Sequence, residues 1–180
     1  MVRQAQRSSA VHEAGHAVIA RVLGLVGCGS ATIVRSEAEG EPGHAMLGDP
    51  WETVDKWERE YSEELERTGI EPVRYRGLNL RSAIRARIMT SMAGAEAEIE
   101  LIGYSQGGDG FDRREIEQYV EMEDAELPDD LWQRYEPRMR RHTRRLIRKH
   151  RDKIERVAAA LEGKKTLTGE EIDRLMARSP

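Results

Sequence analysis

Apolar positions along this chain recur mostly at intervals of three and four, the period of helices lying on a core. Val11, Val18, Ile19, Val22 and Leu23 form such a stripe over residues 8–24, with Ser8 and Ser9 as N-caps and Gly24, Gly27 and Gly29 closing it. Trp51, Val54, Trp57, Tyr61 and Leu65 form a second over 51–68, in a strongly charged background. Ile84, Ile88, Met92, Ala95 and Ile99 predict a long helix over 79–102, ended by Gly103. Its small residues, Ala83, Ala86, Ala93, Gly94 and Ala97, let neighbours approach closely. A short helix is expected from about residue 112. Another runs from about 130 to 162, with Met139, Thr143, Leu146, His150, Ile154, Val157 and Leu161 inside; Pro137 should break or kink it. Thr168 and Glu171 form a capping box for a last helix, 169–177. Helical spacing lapses at 31–34 and 45–47, two strand candidates around a turn at 40–43 that together suggest a hairpin or ribbon. Residues 69–77 read as a link and 121–130 as an acidic loop. The expected fold class is mainly α with a small β-hairpin.

Composition narrows the setting. The 180 residues fit a single domain, 1–180. A net charge of −4 is too mild to mark a nucleic-acid or membrane partner. No window is apolar for long enough to span a bilayer. The most apolar early run, 17–28, contains Arg21 and lacks the basic start of a signal peptide. Cys28 is the only cysteine, which excludes an intrachain disulfide and fits a reducing, cytoplasmic location.

The chemistry is concentrated in the first helix. His12-Glu13-Ala14-Gly15-His16 is an HExxH pattern. Histidines at i and i+4 stand one turn apart on one face and can reach one zinc ion. Glu13 between them is placed to take a proton from a water held at the metal's open position. Both histidines flank the apolar stripe, so partial burial is expected, and Ala14 and Gly15 leave room for a close neighbour. The pattern supplies two ligands and a hydrolytic site needs a third. The extension HExxHxxGxxH is absent, since Ile19 and Val22 occupy its glycine and histidine positions. The third ligand must come from far along the chain; His44, His142, His150 and many carboxylates are open candidates.

Three blocks in order resemble the protease domain of the FtsH family of zinc metalloproteases: residues 10–17 (AVHEAGHA), 92–98 (MAGAEAE) with the glycine-rich turn and Phe111-Asp112 after it, and 161–172 (LEGKKTLTGEEI). The resemblance implies an FtsH protease-domain-like helical array. It maps the family's ligand aspartate onto Asp112, which opens a helix continued by Arg113, Arg114, Glu115 and Ile116; Asp109 is the competitor three residues earlier. It implies a Zn2+ cofactor held by His12, His16 and Asp112, with Glu13 as general base on the zinc-bound water. The implied activity is that of a metalloendopeptidase on unfolded proteins or peptides. A non-catalytic adaptor or binding subunit is the alternative. No AAA module, P-loop or membrane segment is recognisable, so hydrolysis is expected to be ATP-independent, with polypeptide as substrate and a separate ATPase or unfoldase as a candidate partner. The family's protease domains form hexameric rings, which leaves homo-oligomerisation open. Residues 48–77 exceed the matching family region and read as an insertion.

Other features have plainer readings. The basic run 138–153 is expected to be a solvated helix face rather than a nucleic-acid contact, lacking interleaved aromatics. Within it His150 should pack inside and His142 face solvent or the rim. His44 can approach the active site. Cys28 reads as a small packed residue. Residues 107–112 loosely resemble a calcium loop but lack its alternating acids. Glu96 and Glu98 are either partners that orient a ligand histidine or ordinary salt-bridge carboxylates.

Overall fold

Small residues at the middle of the first helix and of the 79–102 stretch let two helices cross at near-backbone contact. The computed structural model describes residues 2–34, 43–107, 109–122 and 129–177; most of the predicted turn at 40–43 and of the acidic loop at 121–130 lies outside them. The chain runs α1 (Val2–Leu23), β1 (Cys28–Thr32), β2 (His44–Leu47), α2 (Pro50–Thr68), a 3-10 turn (Val73–Tyr75), α3 (Leu80–Ile102), α4 (Gly110–Glu121), α5 (Asp129–Lys149), α6 (Arg151–Lys164), β3 (Thr166–Thr168) and α7 (Gly169–Ala177). At the crossing of α1 and α3, a Cβ on Gly15 would sit 2.6 Å from the Ala93 carbonyl oxygen and 2.8 Å from Ala97 Cβ. Glycine is the only residue that fits there.

Burial on both sides of that crossing creates two apolar clusters. On one side Val11, Val18 and Ile19 of α1 pack with Ile154, Val157 and Leu161 of α6, Leu167 of β3 and Ile172 of α7. On the other, Ile84, Ile88 and Met92 of α3 pack with Ile116, Tyr119 and Val120 of α4 and Met139 of α5. The α3 stripe ends sooner than its spacing predicts, because Ile99 is exposed. Trp51 seats the start of α2 by stacking on Tyr119, ring centroids 6.3 Å apart.

Several helix ends follow local chemistry. Asp49 caps α2, accepting from the Trp51 and Glu52 backbone N–H groups, and left-handed Gly69 closes it. Asn79 and Ser82 form a reciprocal capping box at α3. The predicted box at α7 is present, with Thr168 N–H donating to Glu171 at 3.0 Å and Glu171 N–H to Thr168 Oγ1 at 3.3 Å. The expectation fails at α1. It begins at Val2, so Ser8 and Ser9 are interior and cap nothing. The Ser8 hydroxyl instead donates to Glu98 Oε1 at 2.8 Å.

The long helix expected over 130–162 is two helices, and the break is not at Pro137. That proline lies inside α5. The ladder is interrupted at His150, whose φ of −114° and ψ of 23° leave the helical region. The break lets α5 lie against α3 while α6 turns to lie against α1.

The β-element is larger than a hairpin. It is an antiparallel three-stranded sheet of order β2-β1-β3. Ala31 of β1 faces Ala45 on one side and Leu167 on the other. The first strand lies at 28–32 rather than 31–34, and being central it has no free edge. β3 has only three residues, one of them buried, too short to show an alternation. No helix among the described residues is long and apolar enough to cross a membrane.

Candidate metal centre

Residues 12 and 16 sit on the α1 face that meets α3, and the turn after Gly103 brings the first turn of α4 over the same point. His12 Nε2 lies 3.0 Å and His16 Nε2 3.4 Å from Asp112 Oδ2. One ligating atom from each of the three residues falls within 4.8 Å of the others. The helix partner that closes the site from below is Gly94. A Cβ there would lie 2.5 Å from both Nε2 atoms. The backbone of α3 is thus the floor of the site, and a side chain would fill it.

The outer face of His16 is hydrogen-bonded, and that of His12 faces a carboxylate. His16 Nδ1 donates to the Thr90 carbonyl at 2.7 Å. A carbonyl can only accept, so Nδ1 carries a proton and Nε2 is the nitrogen that faces Asp112. His12 Nδ1 lies 3.8 Å from Glu98 Oε1. Glu98 is fixed in turn by the Ser8 hydroxyl and by the Gln106 backbone N–H at 3.0 Å. Paired groups of this kind set the orientation of ligating histidines. Of the two candidate carboxylates, then, Glu98 stands behind a histidine. Glu96 is a salt-bridge group, buried and clamped by Arg140 and Arg144 of α5.

Burial and the charge pairs oppose one another in the acid–base balance. Burial pushes the Glu13 carboxyl above its ordinary value, against the opposing pull of His16 and His12. Glu13 is 5% exposed, and its Oε2 has no hydrogen-bond partner among the described residues. Burial would raise Asp112 as well, but the two imidazoles beside it hold its carboxyl well below the usual range. His16 shows the reciprocal effect: burial lowers its pKa, and Asp112 outweighs that and carries it to about 9.

A cleft of about 300 Å³ opens onto these groups, lined also by His44, Ala45 and Leu47 of β2, Arg87 and Glu115. The start of β2 abuts the base, since a Cβ on Gly43 would lie 3.5 Å from Glu13 Oε1. His44 is exposed and lines the cleft without joining the cluster.

The remaining sequence candidates lie elsewhere. Asp109 pairs with Arg113 at 2.7 Å. His142 is exposed and His150 is half-buried at the α5–α6 junction. Cys28 is buried at the start of β1. Much of the basic run is engaged with carboxylates: besides the Glu96 clamp, Arg148 binds Glu100 at 2.7 Å and Arg151 binds Glu155 at 2.8 Å. Thr90, Arg87, Gln106 and Glu115 escaped the sequence reading. Only Arg87 carries a legible signal, a cation one helical turn from Ile84 on the buried face of α3.

Two imidazole nitrogens and one carboxylate oxygen converging at a floor without a side chain form a donor set that fits a borderline divalent cation such as zinc. No protein-family model matches the sequence, and no curated protein matches it.

Proposed function

We propose that the chain is a zinc-dependent metalloendopeptidase with an FtsH-like protease fold, acting on unfolded proteins or peptides. The observation that carries the reading is the convergence of His12 and His16 with Asp112, 100 residues further along than His12, beside a buried Glu13 oxygen that is unpartnered among the described residues. His12, His16 and Asp112 would hold the ion. When bound, it would supply Lewis acidity to the scissile carbonyl and to the attacking water. Glu13 takes a proton from that water as its oxygen adds to the carbonyl carbon. It then delivers the proton to the amine nitrogen as the C–N bond breaks. Burial, by raising its pKa, makes Glu13 a stronger base than a solvated carboxylate.

Substrate binding follows from the sheet. Among the described residues β2 is hydrogen-bonded on one side only, by β1, and its residues line the cleft. An extended peptide adds there as a further strand, its backbone held by the β2 backbone and its carbonyl carried past Glu13. A cytoplasmic setting, ATP-independent hydrolysis and supply of unfolded chains by a separate unfoldase complete the reading.

Glu13→Gln tests it. The variant keeps the two imidazoles and the carboxylate but no longer accepts a proton. We expect unchanged zinc content by elemental analysis and a loss of casein hydrolysis of at least about 100-fold. Equal hydrolysis by both proteins would remove Glu13 as base. Zinc binding without hydrolysis by the parent would leave the adaptor alternative.

A further inference from the structure

Two of the three proposed ligands have a group behind them, and the third does not. His16 is backed by the Thr90 carbonyl and His12 by Glu98. Among the described residues, the hydrogen-bond and ion-pair partners of the Asp112 carboxylate are His12 and His16 alone. Its place is therefore set by the helix that carries it, α4. Zinc ligation tolerates about 0.2 Å in a donor distance, so the seat of α4 on α3 has to be fixed closely.

Two helix faces meet at that seat. Arg87, Ser91 and Gly94, spaced by four and three, share one face of α3; Asp112, Glu115, Ile116 and Tyr119 share one face of α4. Ile116 and Tyr119 supply apolar contact, which is non-directional. Glu115 supplies direction. One of its oxygens accepts from Arg87 Nη2 and the other from the Ser91 hydroxyl at 2.6 Å. Glu115 follows Asp112 by nearly one turn of α4, and Ser91 precedes Gly94, the floor of the centre, by nearly one turn of α3, about 5 Å in each case. The guanidinium also stands 6.0 Å from the centroid of the Tyr119 ring. These contacts hold α4 at one height and one rotation, a turn away from the ligand.

Stability does not account for the pair. The Arg87 and Glu115 side chains are 9% and 15% exposed, so both charges have left water. Desolvation of that kind offsets most of the Coulombic gain, and apolar replacements of similar volume are often as stable or more so. Arg87 Nε and Nη1 add to the penalty, being buried without a hydrogen-bond partner among the described residues. What an apolar pair would not give is register. We propose that Arg87 and Glu115 are positioning residues of the metal centre: with Ser91 they hold α4 on α3 so that the Asp112 carboxylate stands over Gly94 beside the two imidazoles. The inference rests on the ligand set of the proposed metallopeptidase, though not on peptide hydrolysis itself.

Metal affinity and fold stability, measured side by side, separate this role from a structural one. Zinc is titrated into the chelated parent, Arg87→Met, Glu115→Leu and the double variant, in competition with a chromophoric chelator, and the chelated chains are unfolded in urea. Each single substitution strands a buried charge and should lower the urea midpoint. The double variant should regain the parent's midpoint and yet bind zinc about tenfold or more weakly. Cobalt in place of zinc gives a spectroscopic signature: the visible absorption of the double variant should differ from the parent's, because one donor has moved. Zinc affinity equal to the parent's, or an unchanged cobalt spectrum, overturns the proposal at any midpoint. Should the double variant not fold, Ser91→Ala decides, since it frees only one Glu115 oxygen: weaker zinc binding supports the proposal, and affinity equal to the parent's overturns it. A parent that binds no zinc removes the proposal and the metallopeptidase reading together. A parent that binds zinc, loses affinity in the variants and cuts no casein keeps the positioning role and removes the peptidase reading; one that cuts casein while the variants bind zinc as tightly as it does removes the positioning role alone.

Discussion

At the scale of single residues the proposed metal centre depends as much on a missing side chain as on His12, His16 and Asp112. Gly94 lies mid-helix, where alanine is favoured by about 1 kcal/mol. Yet a methyl group there would stand 2.5 Å from both ligand nitrogens. Gly94→Ala should therefore fail to take up zinc while keeping its helical circular dichroism; metal uptake equal to the parent's would show that the imidazoles are free to move away. His16 carries a second prediction. Its folded pKa of about 9 exceeds the ordinary value of 6.5, because Asp112 outweighs burial. In chelated protein the stability gained from this pair is complete below pH 6.5 and lost as pH rises through about 9. Metal affinity runs the other way, since a proton on Nε2 blocks the lone pair that the ion needs. Zinc titrations at about pH 6 and about pH 8, with thermal melts of chelated chain over the same range, check both signs. A zinc affinity independent of pH would exclude His16 as a ligand.

Between elements, helix packing overrides local breaking signals. Pro137 lacks the N–H that would complete a turn of α5, and it is exposed. The helix persists because Met139, Thr143 and Ile147 bury one of its faces and Arg140 and Arg144 grip Glu96 across the contact with α3. Pro137→Ala restores the donor and removes the ring, so it should stabilise the fold by about 1–3 kcal/mol, measured by urea unfolding. A destabilised variant would mean that a bend at this position is required by the packing. His150 marks the true break, and no breaking residue stands there. What breaks the ladder is the divergence of two docking surfaces, α3 for α5 and α1 for α6.

For the molecule as a whole, stability depends on joining the two ends of the sequence. Arg21 near the end of α1 donates to the Cys28 carbonyl at 2.9 Å and the Gly169 carbonyl at 3.0 Å, and pairs with Asp173 of α7. One side chain thus ties the first helix to the first strand and to the last helix. Arg21→Met keeps much of the stem but strands two carbonyls. It should cost about 2–4 kcal/mol in chemical unfolding. An unchanged midpoint would show that water replaces the guanidinium. The sheet joins the ends in the same way, since β3 completes it from residues 166–168.

What the sequence determined by itself is local. The period of three and four located most of the helices, because a helix shows its buried face within one or two turns. His12 and His16 were legible together, because i and i+4 share a face in any helix. The capping box at Thr168 and Glu171 was legible for the same reason. What only the tertiary structure decided is everything that depends on contact between distant segments. Asp112 was reached through a family likeness rather than by spacing. Three residues at 166–168 are a strand only because β1 is there to pair with them. Glu96 and Glu98 are two residues apart in one helix, and their different work follows from what faces each, arginines of α5 or a histidine of α1. Arg87 finds Glu115 only because α3 and α4 pack together. Spacing along a chain fixes which side chains share a face; it takes the packed fold to fix what that face meets.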